Sequence, residues 1–245
     1  MKASTPAVRS DLAPTGTLRA GINYGNFILA TRDRASGESR GVAIDLAQDL
    51  ARRLGVPVEV VAYDSVAAMV DAAKTDAWDI AFLGIDPARA GDIGFTDAYL
   101  HIDATYLVPA GSSLRAVTDV DAPGVRVAAP ARANYELHLS RSLQRARLVR
   151  AQTADAAFAL LAAGEVEALA GLRQALVGLS AKLPGSHLLD GKFMAVPQAI
   201  GMPRGREAGL AYLRDFVEEA KASGLVARAI ERTGAQGVSV APKAK

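Results

Sequence analysis

GVAIDLAQDLARRLGVPVEVVAYDSVAAMVDAAKTDAWDIAFLG, residues 41–84, changes its hydrophobic period three times in one stretch. Ile44, Ala47, Leu50, Ala51 and Leu54 recur at helical spacing, and Asp45, Gln48, Asp49, Arg52 and Arg53 take the opposite face, which predicts a helix over Ala43–Leu54. Gly55 stands where the residue beyond a helix must tolerate a left-handed backbone, and Pro57 stops any continuation. Val58–Ala62 then reads as a strand. Ser65 or Asp64 caps a helix reaching about Lys74, and Asp79–Leu83 is an apolar run of strand length. Helix and strand in this alternation specify an α/β fold with a largely parallel sheet.

The same alternation extends outward. Thr17–Asn23 is a strand ahead of the stretch, and Asp86-Pro87 is an N-cap followed by proline at the first helical position. Strand-like pieces follow at Ile93–Phe95 and Ala104–Val108, and Pro109–Ser113 then breaks the pattern. Beyond the break lie strands at Val125–Ala129, Ala146–Val149, Ala168–Ala170 and Phe193–Met202, with helices at Ala133–Arg141 and Thr153–Ala163. A long helix spans Gly205–Gly224 with the stripe Leu213, Phe216, Val217 and Ala220, and another spans Leu225–Thr233. Residues 1–11 and 238–245 lack periodicity and are expected to be mobile tails.

One internal echo bears on organisation. VAAMVDAAKTDAWDIAFLG, ending at Gly84, and AAFALLAAGEVEALAG, ending at Gly171, each give a helix, an acidic residue (Asp79, Glu167), a buried strand and a glycine. Two lobes built alike produce such an echo, and so does chance similarity between alanine-rich helices.

Composition removes several functions. With 28 basic and 26 acidic residues the net charge is +2, too small a field to attract nucleic acid or an anionic membrane, and 6 Tyr, 6 Phe and 1 Trp make no base-stacking platform. There is no cysteine, which excludes disulfides, thiolate metal sites and a cysteine nucleophile. No apolar run reaches the roughly 18 residues of a membrane span. Residues Met1–Asp11 lack the apolar core of a secretory signal, so a periplasmic location requires that a signal peptide was removed, and a native start at Met1 implies the cytoplasm.

Catalytic motifs are missing. There is no G-x-S-x-G elbow, and the histidines are His101, His138 and His187. His138 lies on a helix and His187 in a turn, both read as surface or structural. His101 and Asp103 share a strand face without a third ligand, so neither a metal nor a cofactor is expected. Gly16, Gly21 and Gly25 fit neither a dinucleotide fingerprint nor a P-loop.

What remains is a set of polar residues at the carboxyl ends of predicted strands, where open α/β sheets bind ligands. Asn23 and Asn26 follow the first strand, Tyr63 the second, and Gly84, Asp86 and Arg89 the third. Arg132, Asn134 and Tyr135 lie between a strand and its helix, Arg173 follows Gly171, and Gln198 lies in the last strand.

From Gly16 to Gly234 the chain resembles the family 3 extracellular solute-binding proteins of ABC importers. The marks are Leu18-Arg19-Ala20-Gly21, Gly41-Val42-Ala43-Ile44-Asp45-Leu46-Ala47, Trp78-Asp79-Ile80-Ala81, Asp86-Pro87-Ala88-Arg89, Phe95-Thr96-Asp97-Ala98-Tyr99 and Ala199-Ile200-Gly201-Met202-Pro203. The resemblance implies a two-lobed type II periplasmic-binding-protein fold. Residues 12–107 plus 199–237 would form lobe 1, residues 108–198 lobe 2, and a hinge near Val108 and Gln198 would close the lobes on a ligand. It assigns Arg89 to a ligand carboxylate, which a planar guanidinium suits, and the region of Asn134 at a helix start to the same group.

Departures from the family pattern are informative. Asn23 and Leu172 stand where acidic residues commonly meet an α-ammonium, and Asn26 stands where an aromatic is common, with Tyr63 able to supply a ring. The implied function is non-enzymatic binding of a carboxylate-bearing or amino-acid-like small molecule, by a monomer that serves an ABC permease. The alternatives are a cyclohexadienyl-dehydratase-like enzyme, for which Asp86, Asp103 and Glu136 are the candidate acids, and a cytoplasmic ligand sensor on the same fold.

Overall fold

A computed structural model describes residues 4–33 and 35–244. In chain order its elements are α1 (Pro6–Leu12), β1 (Leu18–Asn23), β2 (Thr31–Arg32), β3 (Ser39–Arg40), α2 (Val42–Leu54), β4 (Val58–Tyr63), α3 (Val66–Asp71), β5 (Ile80–Gly84), β6 (Ile93–Phe95) and β7 (Leu100–Val108). They continue with β8 (Arg126–Pro130), α4 (Asn134–Ser142), β9 (Arg147–Ala151), α5 (Ala154–Ala162), β10 (Ala168–Leu172), α6 (Arg173–Ser180), β11 (His187–Leu188), β12 (Met194–Pro203), α7 (Glu207–Ala222), α8 (Leu225–Thr233) and β13 (Val238–Val240). The chain divides into two units, Met1–His101 with Pro197–Lys245, and Ile102–Val196. Strands β7 and β12 each run from one unit into the other.

The first unit orders its strands β4-β1-β5-β12. β1 lies parallel to β4 from Leu18↔Val58 to Asn23↔Tyr63 and parallel to β5 at Ala20↔Ile80. β12 runs antiparallel to β5, setting Gln198 opposite Gly84. All five residues of β5 are buried, which fits a central strand covered on both faces. Trp78 is fully buried beside Met69, Ala73, Ala81, Leu83 and Ile93, and its indole N–H donates to the Met69 carbonyl at 2.9 Å. Gly55 closes α2 at φ 71°, as its place in the sequence predicts.

The second unit repeats the plan with strands ordered β9-β8-β10-β7. β8 is parallel to β9 and to β10, and β7 is antiparallel to β10. Its core splits by strand parity. Tyr106, Val108, Val127, Ala129, Ala168 and Ala170 pack in one cluster, while Leu107, Ala128 and Leu169 pack in another with Ala157, Leu161 and Leu176. Side chains alternate across a strand, so both faces of this sheet are covered.

Several elements differ from the sequence reading. Residues 6–12 are a helix, where a mobile tail is expected. The Thr5 hydroxyl caps it by accepting from Val8 N at 3.3 Å, Pro6 opens it, and Asp11 Oδ2 accepts from Gly209 N at 2.8 Å. Only Val8 and Leu12 are buried in its seven residues, too few for a visible period. At the other end Val238–Val240 forms β13, which pairs with β7. The helix after Ser65 ends at Asp71 and tightens into a 3-10 turn over Ala72–Thr75. Helix α6 escapes the reading because Leu176 alone is buried and Gly178 interrupts it, and His187 belongs to the two-residue β11 rather than to a turn.

Candidate functional site

In the first unit the predicted polar residues gather at the carboxyl ends of adjacent strands. Asn23 ends β1 beside Tyr63, which ends β4, and Gly84 ends β5 opposite Gln198 of β12. Asn23 Oδ1 accepts from Gly25 N at 2.9 Å, an Asx turn that aims the following loop. Asn26 lies in that loop, and its amide oxygen is buried without a hydrogen-bond partner. Tyr63 is half-buried, and burial raises the pKa of its hydroxyl.

Beyond β5, Asp86 and Arg89 are 2% and 4% exposed. Asp86 caps the 3-10 turn Pro87–Arg89, its Oδ1 accepting from Ala88 N at 2.9 Å. Arg89 turns back to donate from Nη1 to the Gly84 carbonyl at 2.7 Å. A guanidinium buried to this depth needs anionic or carbonyl partners, and this turn places it at the strand ends. Gln198 is 4% exposed and bonds through its backbone, its carbonyl accepting from Tyr99 N at 2.8 Å.

In the second unit Arg132, Asn134 and Tyr135 share the turn between β8 and α4. Arg132 is exposed with φ 64°, Asn134 is 7% exposed as the first residue of α4, and Tyr135 packs against the cluster around Tyr106, where burial raises its pKa. Arg173 opens α6 after β10 and donates to the Gly191 carbonyl. β8 and β10 are parallel neighbours, so both loops leave the same end of the sheet.

The three candidate acids all have partners. Asp103 pairs with Lys192 at 2.8 Å, Glu136 with Arg150 at 2.8 Å, and Asp86 accepts the capping N–H. Phe27, 42% exposed in the loop after β1, is an aromatic that the sequence reading passed over. The signal for it was its place next to Asn26. No helix among the described residues is long and apolar enough to cross a membrane.

Two mixed α/β units that share two strands and present polar side chains at strand carboxyl ends have the type II periplasmic-binding-protein fold, and solved structures agree. An amino acid ABC transporter substrate-binding protein from Streptococcus pneumoniae, bound to L-arginine, matches with TM-score 0.74 and 20% identity over 90% of this chain and 95% of that one. An ancestral amino acid-binding protein, a precursor of cyclohexadienyl dehydratase, matches with TM-score 0.74 and 23% identity over 91% and 97%. The chain belongs to the bacterial extracellular solute-binding proteins, family 3, whose model matches residues 18–235. Among characterised relatives, a glutamine-binding protein of Geobacillus stearothermophilus is 23% identical over 191 residues, 76% of this chain and 72% of that protein.

Proposed function

We propose that the chain is a non-enzymatic receptor for a carboxylate-bearing, amino-acid-like solute, acting in the periplasm as the substrate-binding component of an ABC importer. The observation that carries this reading is the cluster at the carboxyl ends of β1, β4 and β5, with Arg89 buried beside Gly84. A guanidinium there suits a ligand carboxylate. The buried amide oxygen of Asn26 suits an N–H or O–H group elsewhere on the ligand.

Asn23 and Leu172 give an α-ammonium no counter-charge at the two places where the family commonly has one. Burying an ammonium without a partner costs several kcal/mol, more than the roughly 1 kcal/mol that a neutral hydrogen bond returns, so the α-ammonium is not obligatory. The kinship with a dehydratase precursor raises the enzyme reading, but the partners of Asp86, Asp103 and Glu136 favour binding over proton transfer.

Calorimetry on L-glutamine against glutaramate, and L-arginine against 5-guanidinopentanoate, tests the reading. The deaminated member of a pair should bind at least as tightly as the amino acid. Arg89→Ala should cost roughly 2–5 kcal/mol of that affinity. Tight binding of the zwitterion with none of its analogue would sink the ammonium argument and point to Asp86 as the missing charge.

A further inference from the structure

The buried aspartate, arginine and threonine side chains of the first unit are bonded within the fold, and the buried glutamine is not. Asp79 binds Arg19 and Arg206, Asp86 caps its turn, and Arg89 donates to the Gly84 carbonyl. Thr96 Oγ1 donates to the Asp97 carbonyl at 2.7 Å and accepts from Ile200 N at 3.1 Å. Gln198 is 4% exposed and its main-chain carbonyl accepts from Tyr99 N, but its side-chain amide has no hydrogen-bond partner among the described residues. A primary amide carries two N–H donors and a carbonyl acceptor, and native folds seldom bury such a group unbonded without a use for it. Asn26 Oδ1 and the Tyr99 hydroxyl are unbonded and sealed from solvent, whereas the Gln198 amide is unbonded but not sealed.

Its place in the sheet ties it to the candidate site. On β12, Ile200 lies opposite Phe82 and Gln198 opposite Gly84, so along one sheet face a buried apolar pair gives way to a glutamine and a glycine. Packing alone would continue the apolar run there. Directly opposed positions sit about 5 Å apart, and Gly84 has no side chain, so the Gln198 side chain has no cross-strand neighbour at the carboxyl end of β5. Arg89 reaches the same glycine through its carbonyl, at 2.7 Å. One residue, Gly84, thus brings a buried guanidinium and a buried neutral amide to the same strand end.

We propose that Gln198 is a specificity-determining residue, whose side-chain amide recognises a neutral group of the ligand that both donates and accepts, a carboxamide or a hydroxyl, while Arg89 takes the carboxylate. The inference rests on the receptor reading above and names the class of solute within it. The chemistry follows from what an amide can satisfy. A second carboxylate only accepts and leaves the Gln198 oxygen unbonded, an ammonium only donates and leaves its N–H groups unbonded, and a carboxamide or hydroxyl meets both. A site built to bond such a group rejects the analogue that lacks it, because its own buried polar atoms are then left without partners.

Calorimetry on two matched pairs, glutaramate against glutarate and L-glutamine against L-glutamate, tests it in the wild type and in Gln198→Met, with folding followed by thermal denaturation. The wild type should bind the carboxamide of each pair about tenfold tighter than the carboxylate. Gln198→Met keeps the volume and removes the amide, so its thermal midpoint should hold or rise while the carboxamide preference falls below about twofold. That ratio is a readout that a purely structural glutamine would not move. A wild type without the preference, or a preference that survives in Gln198→Met, overturns the inference and leaves the receptor reading standing. So does a wild type that binds L-arginine or 5-guanidinopentanoate but neither carboxamide. A wild type that binds none of these probes overturns the receptor reading itself, and the inference falls with it.

Discussion

The two units solve one mechanical problem twice, at different depths. In the first, Asp79 just ahead of β5 accepts from Arg19 N at 2.9 Å, Nε at 3.0 Å and Nη2 at 2.7 Å, while its own N–H donates to the Arg19 carbonyl at 2.9 Å. In the second, Glu167 just ahead of β10 accepts from Arg126 N at 2.6 Å, Nε at 3.1 Å and Nη2 at 2.7 Å, and its N–H donates to the Arg126 carbonyl at 3.0 Å. Each clamp ties the start of a central strand to its parallel neighbour.

Their surroundings differ. The Asp79 side chain is fully buried and takes a second guanidinium, Arg206, at 3.3 Å, whereas Glu167 and Arg126 are 38% and 41% exposed. An ion pair's worth depends on what its removal strands in low dielectric, so identical bonding should yield unequal stability.

The sharpest way to break the comparison is to remove the acid in each unit. Asp79→Ala strands the Arg19 N–H and guanidinium, leaves Arg206 with Asp76 and the Asp11 carbonyl, and should cost about 3–5 kcal/mol in urea denaturation. Glu167→Ala acts where water can replace the lost partner, so about 1 kcal/mol is expected. Equal losses would show that burial is not what separates the clamps.

Acid titration separates them further. The hydrogen bond from Arg126 holds Glu167 below its usual 4.5, as backbone N–H groups hold Asp119 and Asp121 below theirs. A carboxylate depressed on folding adds stability above its unfolded pKa and loses it as pH falls through the folded one. Hydrogen-exchange protection in the second unit, taken relative to the intrinsic amide rate at each pH, should therefore weaken as pH falls below 4.5, less so in Glu167→Gln. An acid response unchanged in that variant would remove Glu167 from the account.

The smallest effect concerns a polar group with no clamp. The Tyr99 hydroxyl is fully buried without a hydrogen-bond partner. Tyr99→Phe should leave stability unchanged or raise it by a few tenths of a kcal/mol, since it deletes an unmet group and keeps the ring against Phe82. A loss above about 1 kcal/mol would mean that the hydroxyl has a partner in solution.

Much of this was legible in the chain. The echo ending at Gly84 and Gly171 gave the repeated plan, because Asp79 and Glu167 each precede a buried strand. Their arginine partners lie 60 and 41 residues away, and local spacing cannot choose among so many arginines. The candidate residues were legible as strand ends, yet the pairing of Gly84 with Gln198 depends on an antiparallel return across more than a hundred residues. Helix α1 was hidden because a cap, a proline and contacts with α7 sustain it, not a periodic apolar face. The left-handed turn at Arg132 was invisible, since arginine carries no signal for it.

Gly41 has a use in protein engineering. At φ 134° its backbone lies so close that a Cβ would collide with the Leu29 carbonyl oxygen, and Ala43 N donates to that same oxygen at 3.0 Å. The excursion carrying β2 and β3 is therefore stapled at its base, downstream of Asn26 and Phe27. Loop closure adds about 0.6 kcal/mol per doubling of its length. A fluorescent reporter spliced into the tip of that hairpin would leave the loop after β1 anchored, which makes this excursion an insertion point for turning the chain into a solute biosensor.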